Sequence, residues 1–258
     1  MHSKSKRMVF ALLIGFFANL APVKWAQAEP DQAALLVYCG ITMVRPMTEI
    51  ARNVENELGI KVIISQGGSE DLYQSLKKSG KGDLYLPGES EFRTRHLAEG
   101  LLGDYVIVGY NKAALFVRKG NPKGVRPDLR ELMRKDLTVI LGNPASGSIG
   151  NETRSILEAA GLYDAALDKA VALLPDSRTL NLAMRRGEGD LTINWRATAF
   201  FPDNAKEIDV VDLDDKLAKR EPLQLTLLNF SKQQAHARHF MRYAASEAGR
   251  GIFRKHGF

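Results

Sequence analysis

Four short segments carry the residue types from which an anion site is built. They are Cys39-Gly40-Ile41-Thr42, Gln66-Gly67-Gly68-Ser69, the run from Asn143 through Ser146-Gly147-Ser148-Ile149 to Gly150, and Trp195-Arg196-Ala197-Thr198. Three of them are small, Gly-rich and hydroxyl-bearing. Glycine allows close backbone approach, Ser and Thr add O–H donors, and the first amides of a helix add N–H donors backed by its dipole. Donors alone suit a fully ionised oxyanion. An oxyanion that keeps a proton favours a carboxylate acceptor as well, and Glu70 beside Ser69 is the candidate. A simpler role competes with this one. Ser and Thr at helix starts usually cap the helix, and Glu70 and Asp71 suit the dipole of the helix after Ser69 with no ligand present. Only the repetition of the pattern at several corners favours binding. Arg45 and Arg196 bring positive charge near these corners; Arg196 reads equally as a clamp for a larger phosphorylated or carboxylated solute or as a solvated rim charge.

Other chemistries find little support. The chain has no G-x-S-x-G, G-x-G-x-x-G, Walker A lysine or H-E-x-x-H. His236 and His239 stand three apart with no further ligand nearby, so no metal site is expected. Glu70 with His96 is the one acid–base pair that can be suggested, and no spacing supports it. No catalytic residue and no cofactor are expected. Cys39 is the single cysteine, so no internal disulfide forms and the fold rests on its hydrophobic core.

The corners are positioned by strands and helices that alternate. Strands are predicted over 35–38, 61–65 and 83–86, with helices over 46–58, 69–78 and 89–99 between and after them. Met47, Ile50, Ala51, Val54 and Leu58 follow helical spacing, and Gly59 stops that helix. This is the βαβαβ signature of a parallel sheet, whose ligands sit beyond the carboxyl ends of the strands. The alternation resumes with short helices over 129–134, 150–160 and 179–186, strands over 137–141 and 191–194, and one terminal helix over 233–253. Extended runs over 104–117 and 222–230 read as two crossovers, and two crossovers between lobes make a hinge.

The N-terminus reads as a signal peptide. Lys4, Lys6 and Arg7 precede an apolar run from Met8 to Leu20, and Ala26-Gln27-Ala28 fits the cleavage pattern, so the mature chain is expected to start near Glu29 in the periplasm. Lys24 completes four basic residues before Glu29, with no acid among them. Cleavage therefore lowers the formal charge from +6 to +2. So little charge argues against a nucleic-acid partner.

These segments together resemble a known family. "LLVYCGITMVRPMTEIARNVENELGIKVIISQGGSEDL", "GDLYLPGE", "LGNPASGSIGNETRSILEAAGL", "AMRRGEGDLTINW" and "FMRYAASEAGRGIFRKHGF" are similar to the periplasmic molybdate-binding proteins of ABC importers, a type of class II solute-binding protein. The resemblance implies a two-lobed α/β fold, each lobe a mostly parallel sheet flanked by helices, joined by two hinge strands. It implies a first lobe of 29–110 and 225–258 and a second of 111–224. It implies a monomer that is not an enzyme, holds molybdate or tungstate between the lobes and delivers it to the importer's membrane subunit. Carried across by position, the family's two hydroxyls fall on Thr42 and Ser69. Its backbone donors fall on Ile149, beside Ser148, and near Ser177, and its ligand-contacting tyrosine falls on Trp195. Three departures, Trp195 without a hydroxyl, the nearby Arg45 and Arg196, and Glu70, leave phosphate, sulfate or a small phosphorylated or carboxylated anion as the alternative ligand.

Overall fold

The computed structural model describes residues 34–258; the expected signal peptide lies outside them. The first lobe begins as the alternation predicts. Strand β1 (Ala34–Gly40) runs parallel to β2 (Lys61–Gly67) on one side and to β3 (Leu84–Leu86) on the other. Helices α1 (Val44–Leu58) and α2 (Ser69–Ser79) make the crossovers. Helix α1 starts two residues ahead of Pro46, because a proline in the first turn forfeits only an amide that had no helical partner. It buries Met47, Ile50, Ala51 and Val54 and ends on Gly59, whose left-handed φ of 65° lets its N–H reach the Glu55 carbonyl. The expected helix over 89–99 is α3 (Glu91–His96) followed by a 3-10 turn.

The two extended runs are long antiparallel strands. Strand β4 (Leu102–Arg118) pairs with β9 (Arg220–Leu228) from Leu102 to Lys112. From Ala113 onward it pairs instead with β7 (Leu191–Trp195), and from Leu115 also with β8 (Ile208–Val211). One strand thus serves two sheets and changes partners between Lys112 and Ala113. Strand β9 closes the first sheet against β3, also antiparallel. The parallel order of the second lobe survives in β5 (Ile140–Gly142) beside β6 (Ala172–Leu174), joined to β7 through a parallel bridge from Val139 to Leu191. Helices α4 (Ser148–Ala159), α5 (Tyr163–Lys169) and α6 (Ser177–Arg185) flank it.

The apolar side chains form separate cores on either side of the partner change. One gathers Leu35 to Val108 with Leu223 to Phe253, and the other lies wholly between Ala113 and Ala218. The C-terminal helix expected over 233–253 is two helices, α7 (Gln234–Ala245) and α8 (Glu247–Lys255). Ser246 leaves the helical region and caps α8 by accepting the Gly249 N–H at 3.2 Å. A Cβ on Gly249 would lie 2.4 Å from the carbonyls of Ala244 and Tyr243, so only glycine permits this bend. Among the described residues no helix is long and apolar enough to cross a membrane.

Candidate functional site

The corners of the two lobes meet at one small chamber. Its lining includes Thr42, Ser69, Ser148, Ile149, Ser177 and Trp195, six of the eight residues expected at a site. Thr42, Ser69 and Gly88 come from the first lobe; Ser148, Ile149, Ser177 and Trp195 come from the second. About 10 Å3 is free inside, on the order of one water.

The hydroxyls do not cap their helices. Helix α2 has Gly68 at its N-cap and α4 has Gly147, neither with a side-chain capping bond, while α6 is capped by Asp176. Ser69, Ser148 and Ser177 are therefore each the first residue of a helix, where amides have no intrahelical acceptor. Their side chains are committed in a way that matters for an anion. Ser69 Oγ accepts the Gly88 N–H at 3.0 Å, and Ser148 Oγ accepts the Trp195 Nε1–H at 3.1 Å. A hydroxyl that accepts from a fixed donor keeps its own hydrogen free to give. Thr42 Oγ1 faces only the weakly accepting thioether of Met43. Ser177 differs: its hydroxyl pairs with Asn194 Oδ1, which also accepts the Trp195 amide, so Ser177 offers its backbone rather than its side chain. Asn194 holds this corner with two further bonds, to the Ser177 carbonyl at 3.1 Å and to Asn181 Oδ1 at 3.0 Å.

Asp176 is the one acid lining the chamber. Its Oδ1 accepts both the amide and the hydroxyl of Thr179, at 2.8 and 2.9 Å, completing a capping box. Glu70, the acceptor candidate, is outside the lining. Its carboxylate takes Gln74 Nε2 at 2.6 Å and His96 Nε2 at 3.2 Å. His96 in turn meets Glu99 at 2.8 Å and stacks on Tyr73 with centroids 3.6 Å apart. The Glu70–His96 pair exists, but it braces α2 instead of facing the chamber. Arg196 is likewise elsewhere. It grips Asp212 with Nε and Nη2, at 2.6 and 3.1 Å, and lies over Phe200 on the surface. Arg45 is near but one step out, lining a larger cavity that shares Ile41, Thr42 and Ser177 with the chamber. Cys39 is fully buried, and that burial holds its thiol well above the ordinary range, so it is a core residue and not a reactive thiol.

Glycine sets how closely the lobes approach. A Cβ on Gly88 would stand 2.1 Å from Ser148 Oγ, and one on Gly68 would stand 2.8 Å from the Ser146 carbonyl. Gly88 was reachable from sequence, since it follows β3 as Thr42 and Ser69 follow β1 and β2. Beside it, Asn151 of α4 donates across the cleft to Glu89 at 2.7 Å and to Glu91 at 2.6 Å. Burial pushes the Glu89 carboxyl up to about 8 and that of Glu152 to about 7, with neighbouring acids adding to both.

The model of a family described as bacterial extracellular solute-binding protein matches residues 35–258. The chain belongs to this family. It is a solute-binding protein and not an enzyme. Similar proteins agree on the fold of this solute-binding protein. The sulfate-binding protein of Mycobacterium tuberculosis superposes with a TM-score of 0.75 at 19% identity, covering 87% of this chain and 86% of the other. The periplasmic molybdate-binding protein of Azotobacter vinelandii superposes with a TM-score of 0.72 at 16% identity, covering 86% and 97%. A curated Haemophilus influenzae relative, provisionally named a binding protein, is 24% identical over 228 residues, 88% of this chain and 91% of its own.

Proposed function

We propose that this solute-binding protein closes its two lobes on a tetrahedral oxyanion, with molybdate and tungstate the first candidates, and delivers it from the periplasm to the membrane subunit of an ABC importer. One observation carries the reading. Ser69 and Ser148, from opposite lobes, line the same chamber and each accept a hydrogen bond from a fixed N–H, which leaves their hydroxyl hydrogens available to a guest. The first amides of α2, α4 and α6 add dipole-backed donors. The only acid in the lining is engaged in capping, which favours an ion that needs donors and no acceptor. Trp195 acts through Ser148: it stands where the family's tyrosine would and spends its N–H on orienting a neighbour's hydroxyl. The hinge lies where β4 changes partners, at Lys112/Ala113, and where the chain returns into β9 near Arg220. Closure removes water from the chamber, and each hydrogen bond to the ion strengthens as the local dielectric falls.

The test is a thermal-shift panel on the mature chain with molybdate, tungstate, sulfate and phosphate. A ligand at 100 times its Kd adds about 2.7 kcal/mol of stability, so molybdate and tungstate are expected to raise Tm by several degrees. No shift with any tetrahedral oxyanion rejects the reading.

A further inference from the structure

Beside the chamber a second group of side chains meets across the cleft, and it is acidic. Glu89 and Glu91 follow β3 in the first lobe, Glu152 lies in α4 of the second, and Glu221 stands at the start of the hinge strand β9. Asn151 of α4 ties the lobes together here. Its Nδ2 donates to Glu89 at 2.7 Å and to Glu91 at 2.6 Å, while its Oδ1 accepts Arg154 at 3.3 Å and so keeps the amide turned that way. Ser90 Oγ reaches Glu221 at 3.4 Å. Glu89 and Glu152 are both buried. The nearby cations are paired elsewhere: Arg95 with Glu91 and Glu70, and Arg154 with Glu158. Arg95 acts on Glu89 only from farther off, Arg154 acts on Glu91, and Lys219 acts on Glu152. From β3, Tyr85 also faces Glu89, and burial keeps that phenol neutral. Glu91, bonded to Arg95, is held below the usual carboxylate range. Glu89 and Glu152 thus stand buried against one fixed negative charge and against Glu221, an arrangement in which ionising both is costly.

We infer that the lobes close with the uptake of a proton by Glu89 and Glu152, so that solute is held more tightly in mildly acidic surroundings than in alkaline ones. This rests on closure around the solute and not on which solute it is. Parting the lobes withdraws α4, with Asn151 and Glu152, from Glu89 and admits water between the acids. Burial pushes Glu89 up to about 8 and outweighs the Asn151 bond, which favours the ionised form. Burial likewise takes Glu152 to about 7, with Glu221 adding to it. A carboxyl that holds its proton more tightly in the closed form than in the open one favours closure at low pH. That contribution is lost as pH rises through about 7 to 8. Each proton taken up changes affinity by at most about tenfold per pH unit.

The test is isothermal titration of the mature chain with molybdate, whose charge is constant over the range, at pH 6.5 and pH 8.5. Each titration is run in two buffers of different ionisation enthalpy, which counts the protons exchanged. Affinity is expected to be at least about fivefold weaker at pH 8.5, with close to one proton taken up per molybdate at pH 6.5. Glu89→Gln combined with Glu152→Gln, which keeps an acceptor for Asn151 but cannot ionise, should remove both effects. Molybdate binding with equal affinity at the two pH values and no proton uptake overturns this inference and leaves the oxyanion reading standing. A double variant that keeps the full pH dependence overturns it as well. Absence of molybdate binding at both pH values counts against the oxyanion reading, and the inference is then decided without ligand. Spin labels at Lys78→Cys and Asp164→Cys, exposed positions on opposite lobes, report the distance between them, since the buried Cys39 does not label. The shorter distance should gain population from pH 8.5 to pH 6.5, and a distribution unmoved by pH overturns the inference.

Discussion

A serine in this cleft is useful to an anion only because something else donates to it. Gly88 N–H and Trp195 Nε1–H fill the acceptor side of Ser69 and Ser148, which leaves the hydrogens of those serines for a guest. Thr42 has only a thioether to hold it, so it provides the cleanest test of a donor's worth. Thr42→Val should lower oxyanion affinity about tenfold or more by titration calorimetry, the loss of one hydrogen bond to a charged group. Its Tm without ligand should barely move, because no strong internal partner is lost. The buried acids beside the site give a second test. Glu89 is 3% exposed, Glu152 is 8% exposed, and Glu91 and Glu221 raise both further. A carboxyl raised in the folded state binds its proton more tightly there than in the unfolded chain. Stability is therefore lost as pH climbs from about 4.5 through about 8 and levels off above that. Glu89→Gln keeps an acceptor for Asn151 and cannot ionise. Its Tm should match the native protein near pH 4.5 and exceed it at pH 8.5; a deficit at pH 8.5 would contradict the assignment. Residue types drew attention to the corners that hold Thr42, Ser69, Ser148 and Trp195, and the family resemblance added Ile149 and Ser177; the structure brings all six to one chamber. Residue types did not reveal the orienting donors, because those come from elements far away in sequence. Nor did they separate Arg45 from Arg196, since only tertiary packing shows that Arg196 already has Asp212.

At the scale of elements, a helix start was legible but not what its serine does there. Sequence placed Ser69 at a helix N-terminus and offered capping or ligand binding. The structure puts Gly68 and Gly147 at the caps, one residue earlier, and frees the serines. Strands with several β-branched or aliphatic residues in a row, such as β1, β2 and β4, were visible. The three-residue β6, the short α5 and the four-residue β8 were not, because such runs show no full period and are held by tertiary pairing. The terminal segment shows one helical pattern in sequence because a single serine signals no break. It becomes a break only when its hydroxyl finds Gly249. The loop after β3 carries the sharpest prediction at this scale. Gly88→Ala places a methyl group into Ser148 from the opposite lobe. It should leave the circular dichroism spectrum native and cut oxyanion affinity at least about tenfold, because the closed state now carries a clash. An unchanged affinity would show that the lobes need not approach this closely.

For the molecule as a whole, the logic is apolar cores confined to one lobe or the other and one strand that belongs to both sheets. Because β4 exchanges β9 for β7 and β8 in mid-strand, the lobes are tied by continuous backbone while their apolar interiors stay separate. Such a body can pivot without opening either core. The lobes also meet through glycines, the amide of Asn151 on Glu89 and Glu91, the guanidinium of Arg178 on the Gln66 amide and that of Arg45 over Phe201, and a bound ion adds to these contacts only in the closed state. The most direct measurement of the central claim is a crystal structure of the mature protein grown with tungstate, with anomalous scattering locating the tungsten. The account predicts one strong peak between the lobes, within hydrogen-bonding range of the oxygens' donors at Thr42, Ser69, Ser148 and the amide of Ile149. A cleft without tungsten, or a peak only on the outer surface, would contradict it.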